Sequence, residues 1–378
     1  MGMRSRKTTL CKVASLLQLL SIAICALFLI SCEKHDGPKM VDKTPYLTFA
    51  ATSEQTLTVK PENRYRLSET LQYSVGDGKW TQLTANTAIA FGGKNGALRL
   101  RGKSAEGLAA DFNKYAHIAF GNRDVAVACS GDIRTLVDYE NYSTTDTQKA
   151  LFCSMFDGCA QLITAPELPA TALAMECYCR MFLNCTHLEV APALPATTVP
   201  DLCYMSMFSN CFNLKTAPAL PATTLGCQCY SNMFSACESL KVAPELPATT
   251  LAEKCYDNMF FNCTNLEVAP ALLPAETLVK GCYYCMFCNC ENLTNAPKLP
   301  AKTLAHSCYR YMFSGCKKLN NITMLATDIS ETDCLVEWVS GVASIGVFTK
   351  ATEMTSLPKG ENGIPEGWTV VDYEESAN

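Results

Sequence analysis

The motif Met-Phe-x-x-Cys occurs seven times, with its methionines at Met155, Met181, Met207, Met233, Met259, Met286 and Met312. The step is 26 residues everywhere except one step of 27, where Leu272-Leu273 adds a residue. A fixed period in this range restricts the chain to stacked units that bury their apolar sides against one another, which is a solenoid. One period further on, Cys334, Trp338-Val339, Gly341, Val342 and Ile345 follow Cys308, Met312-Phe313, Gly315, Cys316 and Leu319. Residues 327–345 therefore read as an eighth, degenerate copy, as a terminal repeat that must close the core is expected to be.

Within a copy, Leu251, Cys255 and Met259 are spaced by four, which predicts one side of a helix of about three turns. Thr250 stands at the N-cap position with Glu253 at the capping-box position. Three residues after each Met stands Gly158, Asn184, Asn210, Ala236, Asn262, Asn289 or Gly315. Glycine and asparagine tolerate the left-handed conformation that ends a helix, so the helix is expected to stop there. The following Leu-x-x-Ala-Pro-x-Leu-Pro stretch holds two residues without an amide donor, which limits it to a strand of two to four residues. Leu, Ala and Leu are expected to face the core and the residues between them to face out.

Met-Phe-x-x-Cys-x-x-Leu with a proline-terminated strand resembles the BspA-type leucine-rich repeats of Bacteroidales surface lipoproteins. The resemblance covers about 150–345. It implies an α/β leucine-rich-repeat solenoid, a short strand plus a helix per 26-residue repeat, on a cell-surface protein engaged in binding or adhesion. It implies no catalytic residues.

Residues 44–130 contain no copy of the repeat and show alternating β-branched and aromatic residues broken by turn signals. Residues 71–75 and 80–83 flank Gly76-Asp-Gly-Lys79, and residues 87–91 and 97–101 flank Gly92-Gly-Lys-Asn-Gly96, two expected hairpins. Further strands are expected at 46–49, 56–59, 117–120 and 125–129. Short strands with glycine-rich turns predict a small all-β, sandwich-like domain, either a spacer or a binding module. Segment 131–150 joins it to the repeats. Ile133 and Leu136 lie 26 residues before Cys159 and Leu162, so the solenoid is taken as 131–345. Residues 346–378 read as a C-terminal cap and tail.

Arg4, Arg6, Lys7 and Lys12 precede an uncharged apolar run over 13–31, the pattern of a secretory signal, although the run alone would also suit a membrane anchor. Leu29-Ile30-Ser31-Cys32 resembles the lipobox of bacterial lipoproteins. This implies cleavage after residue 31, lipid on Cys32, a polar tether over 32–43, and an outer-membrane lipoprotein exposed at the cell surface. The net charge of −5 gives no electrostatic support for nucleic-acid binding.

The chain has 23 cysteines. Two columns explain fourteen: Cys177, Cys203, Cys229, Cys255, Cys282, Cys308 and Cys334 before the Met or Trp, and Cys159, Cys185, Cys211, Cys237, Cys263, Cys290 and Cys316 after it. Both columns are expected in the core, as buried thiols or, in an oxidising compartment, as disulfides. Cys153 and Cys179 share another position in adjacent copies and are the candidate disulfide. Cys282-x-x-Cys285-x-x-Cys288-x-Cys290 has the look of a thiolate metal site, but two of its members belong to the columns, so no metal or cofactor is expected. Only four histidines are present, and none recurs beside a serine or cysteine, which argues against an enzyme.

Two rows are candidates for binding. Tyr178, Tyr204, Tyr230, Tyr256, Tyr283 and Tyr309 form either rim packing or a stacking platform. Glu189, Lys215, Lys241 and Glu267, continued by Thr294 and Asn320, form either a charge ladder or a binding face. The expected role is recognition of a protein or glycan partner from a lipid-anchored surface position. The alternative is a structural coat or assembly component without a specific ligand.

Overall fold

The computed structural model describes residues 42–374, and from Pro45 onward the chain forms one compact unit. The signal segment, Cys32 and the tether up to residue 41 lie outside the described residues. Among the described residues, no helix is long and apolar enough to cross a membrane.

The alternating residues of the N-terminal region form β1 (Leu47–Ala50), β2 (Gln55–Pro61), β3 (Gln72–Val75), β4 (Thr81–Gln82), β5 (Ile89–Phe91), β6 (Leu98–Arg101), β7 (Ala109–Asp111), β8 (Lys114–Phe120) and β9 (Val127–Ser130). Strand β7 carries no alternation long enough to be read from the sequence. One sheet runs β10-β9-β1-β6-β3-β4, where β10 (Leu162–Thr164) already belongs to the first repeat; the other runs β5-β2-β8-β7. Strands β3 and β4 form the first expected hairpin. The second does not form. Strand β5 pairs with β2, while β6 pairs with β1 and β3. Residues 92–96 instead carry the chain from one sheet to the other, with Gly92 at φ 79° and the Gly93 amide donating to Ala51 O at 3.1 Å. A Cβ on Gly92 would lie 2.3 Å from Ser53 O, so this crossing requires glycine.

Strands β9 and β10 are parallel, with Leu162 opposite Val127. On the other side, the amides of Ile118 and Leu108 donate to Met155 O and Leu151 O. Each sheet of the sandwich thus continues into one arm of the first turn, and a single apolar core runs from Leu47 to Trp368. Ahead of the first copy, Asp132 pairs in parallel with Glu167. Ile133 and Leu136 are buried in a short 3-10 turn, and the first repeat stacks on β8 and β9.

The repeats form a β-solenoid of about seven turns, and the described residues contain no α-helix. The expected helix is replaced by a ribbon of overlapping β-turns. From Glu176 to Cys185, alternate amides (176, 178, 180, 182, 184) donate to carbonyls of the next turn (201, 203, 205, 207, 209). The amides between them (177, 179, 181, 183, 185) donate three residues back. Every fourth residue has positive φ: Glu176, Arg180 and Asn184 at 61°, 54° and 61°. A left-handed residue at that interval is compatible with successive tight turns and incompatible with a helix. The column at the expected helix stop is only the last of three such positions.

The second arm follows the expected pattern. In Leu240 to Pro247, Leu240, Ala243 and Leu246 are buried while Lys241, Val242, Glu245 and Pro247 are exposed. Backbone pairing there is reduced to isolated parallel bridges such as Thr164 to Val190 and Val242 to Val268. Regular strands return only where proline is absent, in β11 (Thr198–Val199), β12 (Thr224–Leu225) and the closing sheet β13 (Asn321–Met324), β14 (Val347–Lys350) and β15 (Thr369–Asp372). The eighth copy has its positive-φ residues at Asp333, Glu337 and Gly341. Ile345 does not replace the core leucine. It is 75% exposed, and Phe348 and Trp368 fill the core. The indoles of Trp338 and Trp368 donate to Gly363 O and Ala343 O, which ties the cap down.

Candidate recognition surface

The turn ribbon places two adjacent residues of each four-residue unit inside. Tyr178, Tyr204, Tyr230, Tyr256, Tyr283 and Tyr309 are each 1% exposed. They stack from Phe152 to Trp338 with centroid distances of 5.7–6.3 Å. A second column from Phe156 to Phe313 stacks at 5.3–5.8 Å. The tyrosine faces cover one another, so this row is packing between turns and offers no platform to a ligand. Burial also pushes the tyrosine hydroxyls well above their ordinary ionisation range.

The outward row is solvent-accessible and pairs with itself. Lys215 Nζ lies 2.7 Å from Glu189 Oε2, and Lys241 Nζ lies 3.2 Å from Glu267 Oε1. These exposed pairs contribute about 0–1 kcal/mol each. They leave Lys215 and Lys241 as a cationic centre with a carboxylate at either end. Beside them runs a second outward row, Val190, Thr216, Val242 and Val268, whose valines are 60%, 56% and 50% exposed. Between two turns of this face lies a cavity of about 570 Å³. Pro218, Pro221, Pro244 and Pro247 line it together with Leu220, Val242, Lys215 and Glu245. Proline's fixed φ makes these walls rigid.

A further, half-buried cluster lies outside both rows. On the six-stranded sheet the Arg101 guanidinium lies 4.1 Å from the Trp80 ring centroid and 4.2 Å from that of Tyr139, with Arg99 5.6 Å from Trp80. The signal was available in Leu98-Arg-Leu-Arg101, where alternation puts both arginines on one face.

The post-methionine cysteines share one bond. Cys185, Cys211, Cys237, Cys263, Cys290 and Cys316 each donate Sγ–H to a phenylalanine carbonyl of the preceding turn at 3.0–3.2 Å, and Cys159 donates to Ile118 O. In the other column Cys177 Sγ and Cys203 Sγ are 3.2 Å apart. Desolvation pushes the thiols up, Cys263 to about 12. Cys153 and Cys179 pack together in one small buried cluster. Their position is not exposed as the sequence suggested: Ala109, Phe112, Tyr115 and Met205 cover them. The four cysteines from 282 to 290 do not converge. Cys282 and Cys290 occupy the two core columns, and Cys285 and Cys288 face each other at a turn. Among the described residues, no group of three or more His, Cys, Asp or Glu is placed to hold a metal.

This geometry defines a parallel β-solenoid sealed at one end by a β-sandwich and at the other by a tryptophan-closed sheet. No protein-family model, curated protein or solved structure matches the chain.

Proposed function

We propose that the protein is a lipid-anchored, cell-surface solenoid that binds a protein or glycan partner through the outward face of its proline-rich arm. The observation that carries this reading is the exposed valine row beside the proline-walled cavity. Core packing does not require those valines, and exposed apolar side chains among polar neighbours are characteristic of an interaction site. The signal pattern, the lipobox-like ending at Cys32 and the resemblance to Bacteroidales surface repeats support the location. The test is binding of the soluble mature chain to glycan and extracellular-protein arrays. Saturable binding abolished by Val242→Asp and Val268→Asp supports recognition. Absence of binding on both arrays overturns it.

A specific feature favours a second reading, a surface coat built by self-association. Strand β15 is an edge strand with all four residues exposed, and Ile345, Val347, Val370 and Val371 lie exposed at the same end. An open edge of this kind can template pairing with another chain. Concentration-dependent assembly, lost when Val370→Lys is introduced, would favour this reading.

A further inference from the structure

Cys285 and Cys288 are the first and last residues of one β-turn, closed by the Cys288 amide donating to Cys285 O at 3.2 Å. The ends of such a turn lie within 7 Å, inside disulfide reach. They sit on the outer side of the ribbon at 6% and 9% exposure, whereas the column cysteines of the same copy, Cys282 and Cys290, are fully buried. The equivalent positions hold Ser206 with Ser209, Asn232 with Ser235 and Asn258 with Phe261 in other copies, so the core does not require sulfur there. We propose that Cys285 and Cys288 form an oxidisable dithiol, a turn-spanning disulfide made and broken by exchange with an exported thiol–disulfide oxidoreductase or a small disulfide. The Cys288 thiolate attacks a sulfur of the oxidant's disulfide and forms a mixed disulfide, and one oxidant thiolate leaves. The Cys285 thiolate then attacks the Cys288 sulfur and releases the second. The pair gives up two electrons and two protons, and the oxidant's disulfide becomes two thiols. Cys288 is the entry point because it is the more exposed of the two. A ring this small restrains little chain, which makes the bond readily reducible.

The test is exposure of the folded mature chain to oxidised glutathione, followed by acid quench, denaturing alkylation and fragment-resolved mass mapping. The expected result is a Cys285–Cys288 link, two mass units lighter, with Cys282 and Cys290 alkylated. Dithiothreitol should reverse it. Cys285→Asn, which introduces the residue found at the equivalent Asn232 and Asn258, should stop the reaction at one glutathione on Cys288, and Cys288→Ser should take up none. Alkylation of all four cysteines in the oxidised wild type, or a link between Cys282 and Cys290, would overturn the proposal. So would a glutathione adduct that persists without closing.

Discussion

Ala236 interrupts a side-chain ladder, and restoring it tests the turn ribbon directly. Asn210 Nδ2 donates to Asn184 Oδ1 at 2.8 Å, Asn184 Nδ2 donates to Asp157 Oδ1 at 3.0 Å, and Asn289 Nδ2 donates to Asn262 Oδ1 at 2.8 Å. Position 236 lies between Asn210 and Asn262 in the same column, and its φ is 58°. Ala236→Asn should gain in two ways. An alanine in the left-handed region costs about 1 kcal/mol, which asparagine partly relieves. The amide can also bond to Asn210 on one side and Asn262 on the other, two hydrogen bonds worth about 0.5–1.5 kcal/mol each. The expected gain is about 1.5–3 kcal/mol. Ala236→Gly is the control, because it relieves the backbone alone and should gain about 1 kcal/mol. Urea midpoints at constant slope measure all three chains. If asparagine is no better than glycine, the ladder adds nothing and the argument from stacked turns fails. Asn210→Ala should weaken the ladder by a comparable amount.

Burial raises the Asp257 carboxyl to about 6 from 3.8, so the folded chain holds a proton that the unfolded chain has released. Stability should therefore fall as pH rises from about 4 to about 6 and stay lower above that. Asp257→Asn should raise the unfolding free energy, read from urea midpoints, by about 2–3 kcal/mol at pH 7 and hardly at all at pH 3.5; equal gains at both pH values would refute this. Cys263→Ala removes the thiol that donates to Phe234 O and should cost about 2 kcal/mol, more than Cys255→Ala in the column without that bond, as read from paired midpoints. Removal of 44–130 should leave the repeats insoluble, because β8 and β9 are the surface on which the first turn stacks; a soluble, cooperatively unfolding 131–374 fragment would contradict this.

The period, the inward Leu-Ala-Leu positions, both cysteine columns and most strands of the sandwich could be read from the residues because each depends on burial alternating at a fixed interval. The ribbon differs from a helix in a way the residue spacing already carries. Leu251, Cys255, Met259 and Cys263 step by four each time, with no step of three. In a helix a step of four overshoots a full turn by about 40°, so such a column winds away from the core within two or three steps. A true helix stripe mixes threes and fours. The residues that enforce the ribbon are poorly marked: Asn258 and Asn262 are natural left-handed residues, but Lys254, Leu202 and Tyr311 occupy the same conformation and advertise nothing. The continuity of the sandwich with the repeats was hidden for a different reason. Leu162 stacks on Val127, 35 residues back, and a period search at 26 cannot find that register.

The same ribbon explains why the repeat uses cysteine where a valine would fill similar space. A turn ribbon bends each Phe carbonyl inward, where it already accepts the amide of the cysteine three residues on, as Phe156 O does from Cys159 N at 3.0 Å. A second acceptor site on that oxygen faces the core of the next turn. A side chain there must be small, apolar in bulk and able to donate one weak hydrogen bond, and cysteine meets all three conditions. A serine would meet the last at a greater desolvation cost. This assignment also separates the thiols by chemistry. Those in the post-methionine column are held as donors in a dry interior, where burial suppresses the thiolate that oxidation needs. The thiols of Cys285 and Cys288 donate to no carbonyl of the stack and sit at the outer side of their turn, so redox exchange there can proceed without opening the core.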